Sequence, residues 1–472
     1  MTIRLIAVWI AVTAIGAAVH WQFFPNGQQS DDDYHYYGMA ARFDAPSPIP
    51  LLQIHPPDNL TDANDQSRLA VTYGPSIPYP AWAYALSVLT RYSSYETGAF
   101  VLFIVQFAVL VLGVMLIACS NGCNPIAASI FALAYLGIES YPTIYLSVPI
   151  NMAIAVAVLA LGLFSANKPV MAAIILVIGV LVHIAFLTLM FYVVGIWLAA
   201  RWARIGPAVL IPAIIAWIVA YPVIQGFTNP GDPFGVGFGL WRLEWVLFSN
   251  HWFIPVLTAA AILAGIANYY SGANQWRWLV AAVVMSIVAC LGFVLVDSTQ
   301  THHGMHPFGR VLYLIPPVLI CLAGCAIAGT RRTIYGNTPL IALLAGFMLI
   351  FTVTLHAAGV YVTQVHARQS SLKPLYLRLS QDTALSTAHI VFYRHEYGTV
   401  LMAARLYDAK FSWSKIYTPA TLSSILLGSS HVVWLESPDD PPADRTGFCN
   451  IRTEIIPSGQ TDVLLTQANP CQ

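Results

Sequence analysis

The sequence predicts a polytopic α-helical membrane protein that ends in a small α/β domain. Only 9% of its 472 residues are charged and 58% are apolar, whereas a soluble globular chain carries about 25% charged residues. Mean hydropathy is +0.68. Apolar runs long enough to cross about 30 Å of hydrocarbon recur as far as residue 360, and residues 361–472 return to an ordinary soluble composition. A formal net charge of zero argues against a nucleic-acid partner.

Eleven membrane segments are expected, at 3–20, 97–118, 125–140, 148–166, 169–184, 186–200, 206–224, 253–268, 277–296, 310–329 and 338–360. The first, IRLIAVWIAVTAIGAAV, lacks a clean small-residue cleavage site and is read as a retained helix rather than an export signal. The fifth and sixth have no polar break between them. They are either a tight hairpin about His183 or one long tilted helix, with residues 77–90 then supplying the missing crossing.

Charge orients the bundle. With the N-terminus inside, the short inner loops hold Lys168, Arg201, Arg204, Arg277, Arg331 and Arg332, as the positive-inside rule requires. This places the chain in the cytoplasmic (inner) membrane with its C-terminal domain outside. On the same assignment every Asp and Glu falls outside or at an outer membrane edge. Most histidines share that face; His183 and His356 lie within segments.

Two domains are expected: a transmembrane module at 1–360, whose first outer loop spans 21–96, and an extracytoplasmic (periplasmic) α/β domain at 361–472. In the latter, AHIVFYR (388–394) and HVVWLE (431–436) read as strands and YGTVLMAARLYDA as a helix. Cys449 and Cys471 lie in this exported tail and are expected to pair in an oxidising compartment. The other five cysteines sit in or beside helices, where packing is their expected role.

Polar chemistry concentrates in the outer loops. The run SDDDYHYYGMAARF follows the first helix. Adjacent carboxylates at Asp31, Asp32 and Asp33 repel one another and need solvent, a cation or basic partners to stay charged. A carboxylate near low-dielectric surroundings is a candidate general base. Tyr34, His35, Tyr36 and Tyr37 crowd beside it. The Pro-punctuated stretch YGPSIPYPAWAYAL, with Tyr73 and Tyr79, reads as short helices on the membrane surface.

A second outer loop, 226–252, carries Trp241, Arg242, Glu244 and Trp245, either interfacial anchors or stacking surfaces. A third polar set precedes the tenth segment, where His302, His303, His306 and Arg310 converge in DSTQTHHGMHPFGRVLYLIPPVL. Arginine at the edge of an apolar helix is costly unless it finds an anion, water or a headgroup. Its planar fork suits a phosphate. Asp33, His302 and His303 are alternatively candidate ligands for a divalent metal, magnesium, manganese, calcium or zinc, although no fixed zinc spacing is present.

This layout resembles the GT-C glycosyltransferases. Those enzymes take a sugar from a polyprenyl-phosphate carrier and bear an acidic motif in the first outer loop. Asp32-Asp33-Tyr34-His35-Tyr36 is similar to the Asp-Glu, His and aromatic motif of the protein O-mannosyltransferase branch, with Asp33 in place of Glu. It also resembles the Asp and aromatic motif of the oligosaccharyltransferase branch. His306-x-x-x-Arg310-x-x-Tyr313-x-x-Pro316 resembles a late GT-C motif.

The resemblance implies Asp32 as the base, with Asp31 and Asp33 as its competitors in register. It implies Arg310, His306, His303, His302 and Tyr313 at the donor phosphate and sugar. Tyr34, His35, Tyr36, Tyr73, Tyr79, Trp241 and Arg242 would then line the acceptor or carrier groove. Implied partners are a polyprenyl-phosphate sugar donor, the lipid bilayer, and a glycan, glycolipid or protein acceptor.

Two other functions share parts of the pattern. An O-antigen ligase or polymerase also has many helices and an outer loop, but its large loop comes late in the chain. A membrane transporter would place ionisable residues at midmembrane and often shows two related halves. Here only His183 and His356 fall there, and no internal repeat is seen.

Overall fold

A computed structural model describes residues 3–23, 36, 40, 80–93, 95–133, 149–183, 186–202, 275–297, 315, 318–319, 321–325, 372–392, 397, 400–401, 404, 412–415, 431–439, 445–457 and 462–471. The chain divides into two compact units, Met1–Pro25 with Phe100–Val360, and Asn26–Ala99 with Tyr361–Gln472. The expected segments at 206–224, 253–268 and 338–360 lie outside the described residues, as does most of 310–329.

The described helices are α1 (Ile3–Phe23), α2 (Pro80–Thr90), α3 (Tyr95–Ser120), α4 (Pro125–Phe131), α5 (Pro149–Ser165), α6 (Pro169–Val182), α7 (Phe186–Trp202), α8 (Gln275–Asp297) and α9 (Lys373–Gln381). Among the described residues, two helical stretches, Ile3–Trp21 and Thr97–Ser120, are long and apolar enough to cross a membrane by length and composition.

In the first unit, α5 packs against α6 and α7, α7 against α8, and α1 against α4. PINMAIAVAVLALGLFS is apolar all round and buried almost all round, which makes α5 the centre of this helical group. By contrast α6 turns Val170, Met171, Ile174, Val177, Ile178 and Leu181 outward. Exposed aliphatic side chains are unfavourable in water and ordinary against lipid.

The fifth and sixth expected segments form a hairpin, not one long helix. α6 ends at Val182, and His183 leaves the helix with φ −154° and ψ 125°. At the far end of α7, an Arg201 nitrogen donates to Asn167 Oδ1 at 3.3 Å, back beside the start of α6. Trp197 stacks on Phe164 of α5, with centroids 4.5 Å apart.

α1 lies along α3. Trp9 Nε1 donates to the Ala108 carbonyl at 2.7 Å, and the His20 ring stacks on Phe103 at 3.8 Å. Polar groups also pair between helices. Asn121 Nδ2 donates to Ser165 Oγ at 2.9 Å. The Tyr192 and Ser286 hydroxyls lie 2.7 Å apart, and Ser286 in turn donates to the Ala282 carbonyl at 2.6 Å. Such bonds matter in an apolar bundle because no water competes for the groups.

The C-terminal part of the second unit is a mixed sheet. Its strands are β1 (His389–Phe392), β2 (Ser412–Lys415), β3 (Val432–Glu436), β4 (Phe448–Ile456) and β5 (Val463–Pro470), in spatial order β2-β1-β3-β5-β4. β1 runs parallel to both β2 and β3, whereas β5 is antiparallel to β3 and β4. HIVF and VVWLE are buried on both faces, so they read as unbroken apolar runs. One face packs Ile390, Phe392, Val433, Leu435 and Leu465 with Leu375 and Leu379 of α9 and with helical residues Val400 and Leu401. The other packs Val391, Trp434 and Ala468. There Glu436 pairs with Arg445, whose guanidinium sits 5.7 Å over the Trp434 ring. Burial pushes the His389 imidazole down to about 4, so it is neutral at pH 7.

α9, β2, β4 and β5 are additions to the strands and helix expected from sequence. Arg378 of α9 bridges Asp382 at 2.5 Å and Glu454 of β4 at 3.0 Å. Cys449 and Cys471 form the expected disulfide across a sequence separation of 22. Removing it with Cys449→Ser is expected to destabilise this domain by about 3 kcal/mol, the loop-closure entropy for a separation of that length. Limited proteolysis of the full chain with and without reductant reads the effect, and equal cleavage rates would contradict it.

Candidate functional site

Most of the residues singled out by sequence lie outside the described residues. These are Asp31, Asp32, Asp33, Tyr34, His35, Tyr73, Tyr79, Trp241, Arg242, His302, His303, His306, Arg310 and Tyr313. The proposed metal set of Asp33, His302 and His303 lies there too. Among the described residues, no group of three or more His, Cys, Asp or Glu side chains could hold a metal ion.

Tyr36 is described, and its ring packs on Trp82 of α2. It is helical and half-buried, and Ala40, one turn later, is buried. Proline at the first position of α2 suits a helix start, since its missing N–H has no intrahelical partner there. The helix then buries Trp82, Ala83, Leu86 and Ser87 while leaving Tyr84 exposed. The Tyr36 ring meets the Trp82 indole edge-on, with centroids 5.1 Å apart and planes at 62°. Edge-on aromatic pairs at this separation place the positive rim of one ring on the negative face of the other.

Trp82 is a buried aromatic that sequence reasoning did not single out. In PYPAWAYAL it looks like one more interfacial aromatic, and nothing in the spacing sets it apart. In the structure it is 2% exposed, and its indole N–H is buried with no acceptor among the described residues.

Neither a family model nor a curated protein matches the sequence. Solved structures do match. ArnT from Cupriavidus metallidurans in the apo state aligns with a TM-score of 0.52 at 12% identity, over 98% of this chain and 97% of that one. The apo oligosaccharyltransferase of Archaeoglobus fulgidus aligns with a TM-score of 0.50 at 13% identity, over 90% of this chain and 69% of that one.

The fold is GT-C-like.

A GT-C-like fold is a polytopic membrane fold. At this identity the likeness concerns the course of the chain, and it spans the tail as well as the helical part. Tyr36 and Trp82 therefore belong to the segment between the first helix and α3 of a GT-C-like chain.

Proposed function

We propose that this chain is a membrane glycosyltransferase that moves a sugar from a polyprenyl-phosphate carrier to an acceptor hydroxyl at the outer face of the cytoplasmic membrane. The observation that carries the reading is the pairing of a GT-C-like fold over nearly the whole chain with an acidic run, Asp31–Asp33, soon after α1. Residues 1–360 form the membrane module and residues 361–472 an outer domain, with the N-terminus inside.

The chemistry needs three functions. The acceptor hydroxyl must lose its proton, the anomeric carbon must be held in line, and the departing phosphate must be stabilised. Asp32 takes the proton as the acceptor oxygen bonds to the anomeric carbon. The bond from that carbon to the carrier phosphate breaks at the same time, and its electron pair leaves with the phosphate. A single displacement of this kind inverts the anomeric centre, by analogy with inverting hydrolases. Arg310, with His306, meets the leaving phosphate, because guanidinium pairs with phosphate through two parallel hydrogen bonds. The negative charge that grows there makes this an electrostatic contribution to rate as well as to binding.

Arg310→Ala is expected to weaken binding of a polyprenyl-phosphate sugar about tenfold or more, the scale of a lost charge-assisted pair. Ligand-induced thermal shift in detergent measures this. An unchanged donor affinity would remove the phosphate role of Arg310.

A further inference from the structure

We infer that the α6–α7 hairpin stops short of one membrane surface and thins the lipid leaflet beside it, so that the outward side of α6 is an interaction surface for a shortened stretch of hydrocarbon. The inference needs only a membrane-spanning bundle and stands apart from the glycosyltransferase reading.

One end of the hairpin is fixed at a polar edge. Lys168 and Arg201 flank it, and no charged residue lies between them. Charged side chains near helix ends keep their heads at the membrane surface. An Arg201 nitrogen reaches Asn167 there. Asn121, just past α3, donates to Ser165 at the end of α5. The ends of α3, α5 and the hairpin therefore share one level.

From that level the helices climb to different heights. At about 1.5 Å per residue, α3 rises about 30 Å from Ser120 to Phe100, a full hydrocarbon crossing. α6 has 14 residues and ends at Val182, about 21 Å up, and any tilt lowers its tip further. The shortfall against the hydrocarbon is about 9 Å.

The bilayer can meet that gap in two ways. Val170, Met171, Ile174, Val177, Ile178 and Leu181 leave α6 exposed as far as its last turn, so lipid reaches the tip. Tails could fold over it, or the leaflet could come down to it. The backbone decides. It leaves the helix at His183, and a helix end carries carbonyls without intrahelical partners. Hydrocarbon cannot satisfy such groups. Headgroups and water therefore descend to the tip, the response of a bilayer to a hydrophobic length shorter than its own.

Nitroxide depth measurements on the full chain in dioleoylphosphatidylcholine vesicles test this, in a Cys119→Ala background that removes the exposed thiol. Leu181→Cys and Val177→Cys each place a label on α6. Val105→Cys places one on α3, at about the height of Leu181 above the shared level. All three side chains are exposed, so a label there leaves the packing intact, and Val177 serves as a second reporter one turn below Leu181. Thinning predicts that Leu181 reads about 6 Å shallower than Val105, and that Val177 reads level with Val105. An even leaflet predicts Leu181 as deep as Val105 or deeper, and Val177 near the bilayer centre. Either of those readings overturns the inference.

Discussion

Asp32→Asn is expected to lower turnover by two to four orders of magnitude while the protein still binds donor and melts at an unchanged temperature. Asparagine keeps the shape of the side chain and cannot accept the acceptor's proton. General-base catalysis contributes roughly 10²–10⁴-fold, and the whole of it is at risk in this one substitution. Asp31→Asn and Asp33→Asn belong in the same experiment, since the three aspartates are adjacent and only one is in register. The expected pattern is one variant with lost turnover and two with modest losses. The measurement is sugar transfer from a purified polyprenyl-phosphate donor, with turnover and donor binding read separately. A lost general base lowers turnover with donor affinity intact, and a lost phosphate contact at Arg310 weakens binding, so the two roles separate. Full activity in all three asparagine variants would remove the mechanism.

The proposed chemistry is easier to read in the sequence than its geometry because cost is visible in one dimension. In the sequence, three adjacent aspartates soon after an apolar run and an arginine at the start of another are expected to be expensive placements, and their residue types limit what they can do. The same logic made the membrane class and the first helices legible, since unbroken apolar runs such as PINMAIAVAVLALGLFS have few other uses.

Where burial is one-sided or local, the signal fades. β4 was missed because FCNIRTEII is exposed along most of its length, so it carries little apolar pattern. β1 and β3 were seen because both faces are covered. The hairpin at His183 could not be decided from hydropathy, which is the same for a long helix and for two that fold back. The Arg201 contact with Asn167 decides it. Trp82 shows the sharpest limit. Its composition matches an interfacial anchor, and only its burial beside Tyr36, with no acceptor for its N–H among the described residues, separates it from one.

Gly113→Val is expected to destabilise the helical unit by about 3 kcal/mol, the upper end of typical overpacking costs. A Cβ placed on Gly113 of α3 would lie 2.7 Å from the Leu159 nitrogen and the Val158 carbonyl carbon of α5. One on Gly162 would lie 2.7 Å from the Gly113 carbonyl oxygen. The two helices therefore meet backbone to backbone through a pair of glycines. Inside a membrane such approach supplies packing that the hydrophobic effect does not. Backbone cannot rotate aside, so the added carbons must push one helix off the other. Gly195→Ala is the control. Its Cβ would crowd Met285 Cε at 2.4 Å, but the obstacle is the end of a flexible, unbranched side chain that can change rotamer. Gly16→Ala falls between them, because its Cβ meets the rigid ring of Phe107. Thermal unfolding in detergent should rank Gly195→Ala nearest the wild type, Gly16→Ala next and Gly113→Val lowest. If Gly113→Val melts with Gly195→Ala, the close backbone crossing of α3 and α5 does not hold this unit together, and the load rests on side chains.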